Sequence, residues 1–236
     1  MGDDLLKNGP DKPVDLYVVR ISPPCRVVWL YLLQNNIPHN LIDVDFTKNE
    51  QSAPEFLKKN PHQEVPILVD GEVIVFEGQA ILRYLATQYR NLAGYGLTLS
   101  QRMLTESIIS WANGELHRVV GYRYTYPQFL ERFRLPSESA NEALVESGIQ
   151  SLTRHLETLE KRYLDKNKYL TGDKLTVADS YVATILLQVE WTAFKFKIWP
   201  KVDEWIKRVK QQEFWDTVHK AHDDFVHELE QANMFD

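Results

Sequence analysis

Between residues 14 and 90 the hydrophobic and polar positions switch between two rhythms. "VDLYVVR" at 14–20 is rich in β-branched and aromatic residues and predicts a strand. "PCRVVWLYLLQNN" predicts a buried helix opened by proline. Its apolar run fits a strand by periodicity, but its length and the N-terminal proline favour helix. "HNLIDVDF" at 39–46 is a second strand and "SAPEFLKKN" at 52–60 a short helix. In "VPILVDGEVIVF" at 65–76, two apolar runs flank Asp70-Gly71, the preferred pair for a tight hairpin turn. "EGQAILRYLATQYR" at 77–90 then sets Ile81, Leu82, Leu85 and Tyr89 at helical spacing. The order β-α-β-α-β-β-α describes a small α/β domain ending in an antiparallel hairpin.

"NLAGYGLTLS" breaks the pattern with two glycines, and residues 91–99 read as a linker. Beyond it, over 100–236, the rhythm is almost wholly helical. Leu152, Leu156, Leu159 and Tyr163 share one face of 151–164. Trp215, Val218, His222, Phe225 and Leu229 do the same in 214–230. In "LTVADSYVATILLQVEW", Thr176 stands at an N-cap position and Asp179 can reach back to it, as in a capping box. The expected fold class is α/β plus all-α, with a helical bundle as the second domain.

Composition narrows the partners. The chain has 236 residues, 44% hydrophobic, with a formal net charge of −6, which suits one large or two modest globular domains with apolar material enough for their cores. No basic stripe dominates, which argues against nucleic acid or an anionic membrane as the main partner. No apolar run approaches the length of a membrane span. One cysteine excludes an internal disulfide framework and a cysteine-cluster zinc site, and fits a reducing compartment. The opening "MGDDLLKNGPDKP" lacks the apolar core of a signal peptide, and residues 1–13 read as a loose extension.

The chemistry concentrates at "ISPPCR", where Ser22 and Cys25 sit three residues apart between the first strand and the first helix. Six pieces occur in order over residues 14–220: "ISPPCR", "NPHQEVPILVDG", "FEGQAI", the helical second half, "LTVAD" and "WPKVDEWIKRV". Together they resemble the cytosolic glutathione transferases, most of all their serine-type theta and delta branches. The resemblance implies a thioredoxin-like first domain that holds glutathione and a helical second domain that lines the site for the electrophile. It also implies a homodimer in the cytoplasm. Glutathione would be a co-substrate, with no further cofactor.

Conjugation needs a thiolate, because a thiol is a poor nucleophile. By the resemblance, Ser22 donates its hydroxyl to the glutathione sulfur beside the helix N-terminus. A plain N-cap role for Ser22 is the competing reading, and the two are compatible. Cys25 stands at the second, buried place of a Cys-x-x-Cys-type spacing and reads as a packing residue rather than a thiol-redox centre. Tyr17, on the first strand, is a third candidate. The resemblance makes Pro66 a cis proline and gives the Val65 backbone the cysteinyl part of glutathione, in the manner of a strand edge. Glu77 and Gly78 would hold the γ-glutamyl group at a helix start. Where the family has Glu-Ser this chain has Glu77-Gly78, a lost hydroxyl worth about 1 kcal/mol. Glu64 and Gln51 stand where relatives carry lysine or glutamine and histidine or lysine. Lys48, His62 and Gln63 are nearby substitutes for the glycine carboxylate.

Tyr122 and Tyr126 are candidates for the electrophile site. Trp191, Phe194, Phe196 and Trp199 read as packing residues. Glu115 could reach glutathione across a dimer. His219, His222 and Asp223 have metal-ligand spacing, but a polar helix surface explains them better, and no metal is expected. The leading function is glutathione transfer to hydrophobic electrophiles. The alternative is a non-catalytic ligand- or protein-binding module of the same fold with a weakened glutathione site.

Overall fold

The computed structural model describes residues 9–90 and 92–232. Residues 1–8 of the expected extension, and Asn91 of the expected linker, lie outside the described residues. The chain forms two compact units. One is made of the described residues up to Gly94 with Glu213–His222, and the other of Tyr95–Gln212 with the remainder of the last helix.

The first unit is built on a four-stranded sheet of order β2-β1-β3-β4, from β1 (Val14–Val18), β2 (His39–Asp43), β3 (Ile67–Asp70) and β4 (Val73–Phe76). β1 and β2 are parallel, and β3 runs antiparallel to both β1 and β4. α1 (Pro23–Gln34) joins β1 to β2, α2 (Pro54–Leu57) lies between β2 and β3, and α3 (Gly78–Tyr89) follows β4. This is the thioredoxin-like arrangement. Alternation along β1 buries Val14, Leu16 and Val18 and leaves Asp15 and Tyr17 half-covered on the other face. On that second face Tyr17 packs into a small cluster of Val44, Phe56 and Ile67, with Val65 and Phe76 at its edge.

The hairpin turns one residue later than Asp70-Gly71 suggests. Asp70 remains in the ladder opposite Val73, and the two-residue loop is Gly71-Glu72, with Gly71 at φ +60°. A positive φ at the first loop position suits glycine. Asp70 is held back by α3, because its carboxylate accepts the hydroxyls of both Tyr84, at 2.8 Å, and Tyr89. Burial and the adjacent carboxylate push the Tyr84 phenol up to about 12 and raise Tyr89 as well.

The second unit is helical. α4 (Leu99–Trp111) opens with a capping box between Thr98 and Gln101. It runs on through π-helical turns at Ala112–Leu116 and Arg118–Thr125 into α5 (Tyr126–Phe129). α6 (Glu138–Thr158), α7 (Val177–Leu186) and α8 (Pro200–Val209) follow, and α9 (Trp215–Gln231) is divided between the units, its part up to His222 belonging to the first. Asp179 reaches back to the Thr176 N–H at 2.8 Å at the start of α7. α6 crosses the π-helical segment at Gly148, where an added Cβ would lie 2.9 Å from the Arg123 carbonyl carbon and the Tyr124 nitrogen. None of the described helices is long and apolar enough to cross a membrane.

Candidate functional site

Ser22 occupies the N-cap position of α1, in extended conformation at φ −69°, ψ 126°. Its backbone is tied on both sides. Its N–H donates to the Val19 carbonyl at 2.9 Å, and its own carbonyl accepts the Arg26 N–H at 3.1 Å. Pro23 and Pro24 fill the first two helical positions and have no N–H to offer. The Ser22 hydroxyl makes no capping bond. Ser22 therefore holds the cap position without acting as a side-chain cap.

Cys25 is the next polar side chain on α1 and is 1% exposed. Burial pushes its thiol up to about 11, against weaker contributions from Val19, Ser22 and Arg26. A buried, protonated thiol is inert as a nucleophile. Tyr17 has its ring in the Phe56–Ile67 cluster, edge-on to Phe56 at 6.4 Å, with the Lys59 ammonium 5.4 Å from its centroid.

The Val65–Pro66 peptide is cis and leads directly into β3. The loop before it is organised by Asn60, which sequence reasoning passes over. Asn60 is 2% exposed; its amide donates to the Glu64 carbonyl at 2.9 Å, and its own carbonyl accepts the His62 N–H at 3.0 Å. The Asn60-Pro61 dipeptide, a turn signal, is the one hint of it in the sequence. Glu64 itself is exposed.

The groups expected around the glycine end are mostly engaged with one another. Gln51 donates to Asn49 at 2.9 Å, while its own Oε1 is buried without a hydrogen bond. Gln63 accepts the Ser52 hydroxyl at 2.8 Å. Lys48 pairs with Asp45 at 3.0 Å, and His62 lies edge-on to Phe76. The Asp45 carboxyl is drawn down to about 2 by hydrogen bonds from Thr47 and Lys48.

Glu77 stands at the N-cap of α3 with φ +70°, and Gly78 is buried in the first helical turn. The first-turn N–H groups of α3 have no carbonyl four residues back, which makes this end receptive to a carboxylate.

Tyr122 is 43% exposed, and Tyr126 is 8% exposed. Their rings meet edge-on at 5.2 Å, and both contact His117 and Phe133. Tyr126 also packs against Trp191, and the His117 ring bonds its hydroxyl at 3.2 Å. An added Cβ on Gly121 would lie 2.8 Å from the Tyr126 ring. Trp191, Phe196 and Trp199 are buried, and Phe194 stacks on Trp199. Glu115 lies 3.8 Å from His155, whose proton affinity is lowered mainly by burial.

One expectation is corrected. His219 and His222 are 0% exposed rather than part of a polar helix surface. His219 stacks on Trp215 at 3.8 Å and bonds its carbonyl at 2.9 Å. The apolar spacing that placed His222 on the face with Trp215 and Val218 was the better guide.

Comparison with known proteins agrees with this architecture. A family model described as "Glutathione S-transferase, N-terminal domain" matches residues 16–93, and "Glutathione S-transferase, C-terminal domain" matches residues 124–213. The chain is 30% identical to glutathione S-transferase T1 of Arabidopsis thaliana, covering 83% of this chain and 82% of the relative. It is 29% identical to glutathione S-transferase theta-1 of Bos taurus, covering 89% and 90%. Among solved structures, the human glutathione S-transferase T1-1 apo form superposes with a TM-score of 0.75 at 26% identity, covering 88% of each chain. The chain belongs to the glutathione S-transferase family and is a theta-like glutathione transferase.

Proposed function

We propose that this enzyme activates glutathione through the Ser22 hydroxyl and transfers it to hydrophobic electrophiles. The observation that carries the proposal is the position of the Ser22 hydroxyl at the start of α1. Ser22 is held at the N-cap with its backbone bonded on both sides, yet its side chain does not cap the helix. A hydroxyl donor beside a helix N-terminus stabilises negative charge on sulfur, and the thiol proton leaves to solvent. The thiolate then attacks the electrophile. A carbon–sulfur bond forms, and any leaving group departs with its electron pair.

The same reading gives the remaining roles. The Val65 backbone, beside cis Pro66, holds the cysteinyl part of glutathione. Glu77 takes the γ-glutamyl amino group, and the Gly78 N–H takes its carboxylate. Gln51, with Glu64 turned to solvent, borders the glycine end. Tyr122 and Tyr126 border the electrophile. This chemistry calls for no metal or organic cofactor. The enzyme works as a homodimer in the cytoplasm.

Calorimetric titration with glutathione tests the proposal, run on the wild-type protein and on Ser22→Ala. Binding in both, with conjugation sharply reduced only in Ser22→Ala, is the expected result. Equal turnover in the two proteins would remove Ser22 from the mechanism. Absence of binding in both would favour the non-catalytic reading, in which the losses at Gly78, Glu64 and Gln51 together disable the site.

A further inference from the structure

We propose that Thr125 and Gln188 form a buried binding site for a single hydroxyl group, held against Gly121 in the core of the helical unit. The occupant is a water molecule or the hydroxyl of a small ligand. The site does not depend on the Ser22 mechanism. Only its access to a ligand rests on the placement of Tyr126 at the electrophile.

The site begins with a change of helical pitch. Arg118–Thr125 is π-helical and packs against the 3-10 helical turn Leu187–Trp191. In an α-helix a buried threonine can return its hydroxyl to the carbonyl four residues back, which for Thr125 is that of Gly121. Here the π-turn gives the Gly121 carbonyl to the Tyr126 N–H, five residues on. Thr125 is 0% exposed, and its Oγ1 makes no hydrogen bond to any described residue.

Gln188 is also 0% exposed. Its Nε2 donates to the Ile185 carbonyl at 3.0 Å, which fixes the orientation of the amide. Its Oε1 remains a buried acceptor with no bond to any described residue. A Cβ added to Gly121 would lie 3.3 Å from that oxygen and 2.8 Å from the Tyr126 ring. Gly121, Gln188 Oε1 and the Tyr126 ring edge therefore border one spot. Thr125 stands about one π-turn beyond Gly121, on the same face. Gly121 is helical and has no positive φ, so its backbone does not call for glycine; the space around it does.

The chemistry of the two atoms selects the occupant. A buried polar atom left unbonded costs free energy. Gln188 Oε1 needs a donor, and the Thr125 hydroxyl can give or take a bond. One hydroxyl group meets both. An anion would meet the lone pairs of Gln188 Oε1, and a cation would lose its hydration for two neutral oxygens. Tyr126 also borders the electrophile in the reading above, which makes a ligand hydroxyl, and not only water, an occupant to test.

High-resolution crystallography of the wild-type protein tests the site, with a second crystal soaked in methanol. One water within hydrogen-bond distance of both Thr125 Oγ1 and Gln188 Oε1 is the expected result. Methanol in its place after the soak identifies a site open to ligand hydroxyls, and water persisting there identifies a site for water alone. A direct Thr125–Gln188 hydrogen bond, or no density between them, overturns the proposal. Urea unfolding gives a second reading. Thr125→Val keeps the shape and removes the hydroxyl. It should lower the folding equilibrium constant by about fivefold, the worth of one net hydrogen bond. Repeated in a Gln188→Met background it should cost less, because the bridge is already broken. A Thr125→Val protein at least as stable as wild type would show a hydroxyl with nothing bound to it and overturn the proposal, as would full additivity of the two substitutions.

Discussion

The carboxylate of Asp179 accepts the indole N–H of Trp205 at 2.9 Å, joining the first turn of α7 to the middle of α8 in the core of the helical unit. The same carboxylate accepts the Leu170 N–H at 2.8 Å, the Thr176 N–H at 2.8 Å and the Thr176 hydroxyl at 3.0 Å. Asp179 and Trp205 are both 0% exposed. Asp179→Ala would leave several buried donors without an acceptor, at about 1–3 kcal/mol for each group stranded. It should lower stability by about 3 kcal/mol or more, read as a fall in the urea midpoint at constant m-value. A change below about 1 kcal/mol would mean that water replaces the carboxylate and that the network is not a structural keystone.

Much of this was legible in advance, for a physical reason in each case. The capping box at Thr176 and Asp179 is local chemistry, written in four consecutive residues. The elements of the α/β unit follow from period-two runs and from proline at a helix start, as in "VDLYVVR" and "PPCRVV". The serine at the junction was visible because the strand ends and the helix begins on either side of it. What the sequence could not display is pairing between distant residues. The hairpin turn moved to Gly71-Glu72 because Tyr84 and Tyr89, on α3, hold Asp70 in the ladder. Asn60 escaped notice because its partners are main-chain groups, which carry no residue signature. The π-helical turns of 112–125 look like ordinary helix in a hydrophobic pattern.

Gly148 tests how closely α6 and that π-helical segment meet. A Cβ there would approach the Arg123 and Tyr124 backbone to 2.9 Å, and backbone has no rotamer by which to retreat. Gly148→Ala should destabilise the protein by about 1–3 kcal/mol, the range for overpacking, despite alanine's better helix propensity. Gly114→Ala is the control. Nothing lies within 4 Å of its Cβ, so it should be neutral or slightly stabilising. Thermal unfolding of the two variants side by side separates packing from propensity. If both gain stability, α6 has moved away at no cost.

The buried thiol has a sign that can be checked against pH. The Cys25 value is raised from 9.0 to about 11 on folding. For an acid with a raised value, the folded state favours the neutral form. The associated stability is complete below pH 9 and is lost as pH rises through about 11. The whole difference amounts to roughly 2–3 kcal/mol. Between these limits the wild type should lose stability more steeply than Cys25→Val, in which the titrating group is gone. The difference in urea midpoint between the two proteins, followed from pH 8 to 11, measures it. Parallel curves would show that the thiol titrates alike folded and unfolded. Alkylation gives a second readout, since native Cys25 should resist iodoacetamide at pH 8 and react once urea unfolds the chain.

Gly78 offers a gain of function rather than a loss. It stands in the first turn of α3 beside Glu77, where the proposed site holds the γ-glutamyl group and the family resemblance implies a Glu-Ser pair; its backbone N–H remains, but it has no hydroxyl. Restoring that hydroxyl by Gly78→Ser supplies one net hydrogen bond to the γ-glutamyl carboxylate, about 1 kcal/mol. Glutathione should then bind roughly fivefold tighter, as read by calorimetry. Turnover at saturating glutathione should stay unchanged, because the bond is the same in the ground state and the transition state. A fall in KM for glutathione with constant kcat is thus the expected signature. An unchanged KM would place the γ-glutamyl group elsewhere than at the start of α3. A change in kcat instead would mean that the first turn of α3 acts on the sulfur chemistry as well as on binding.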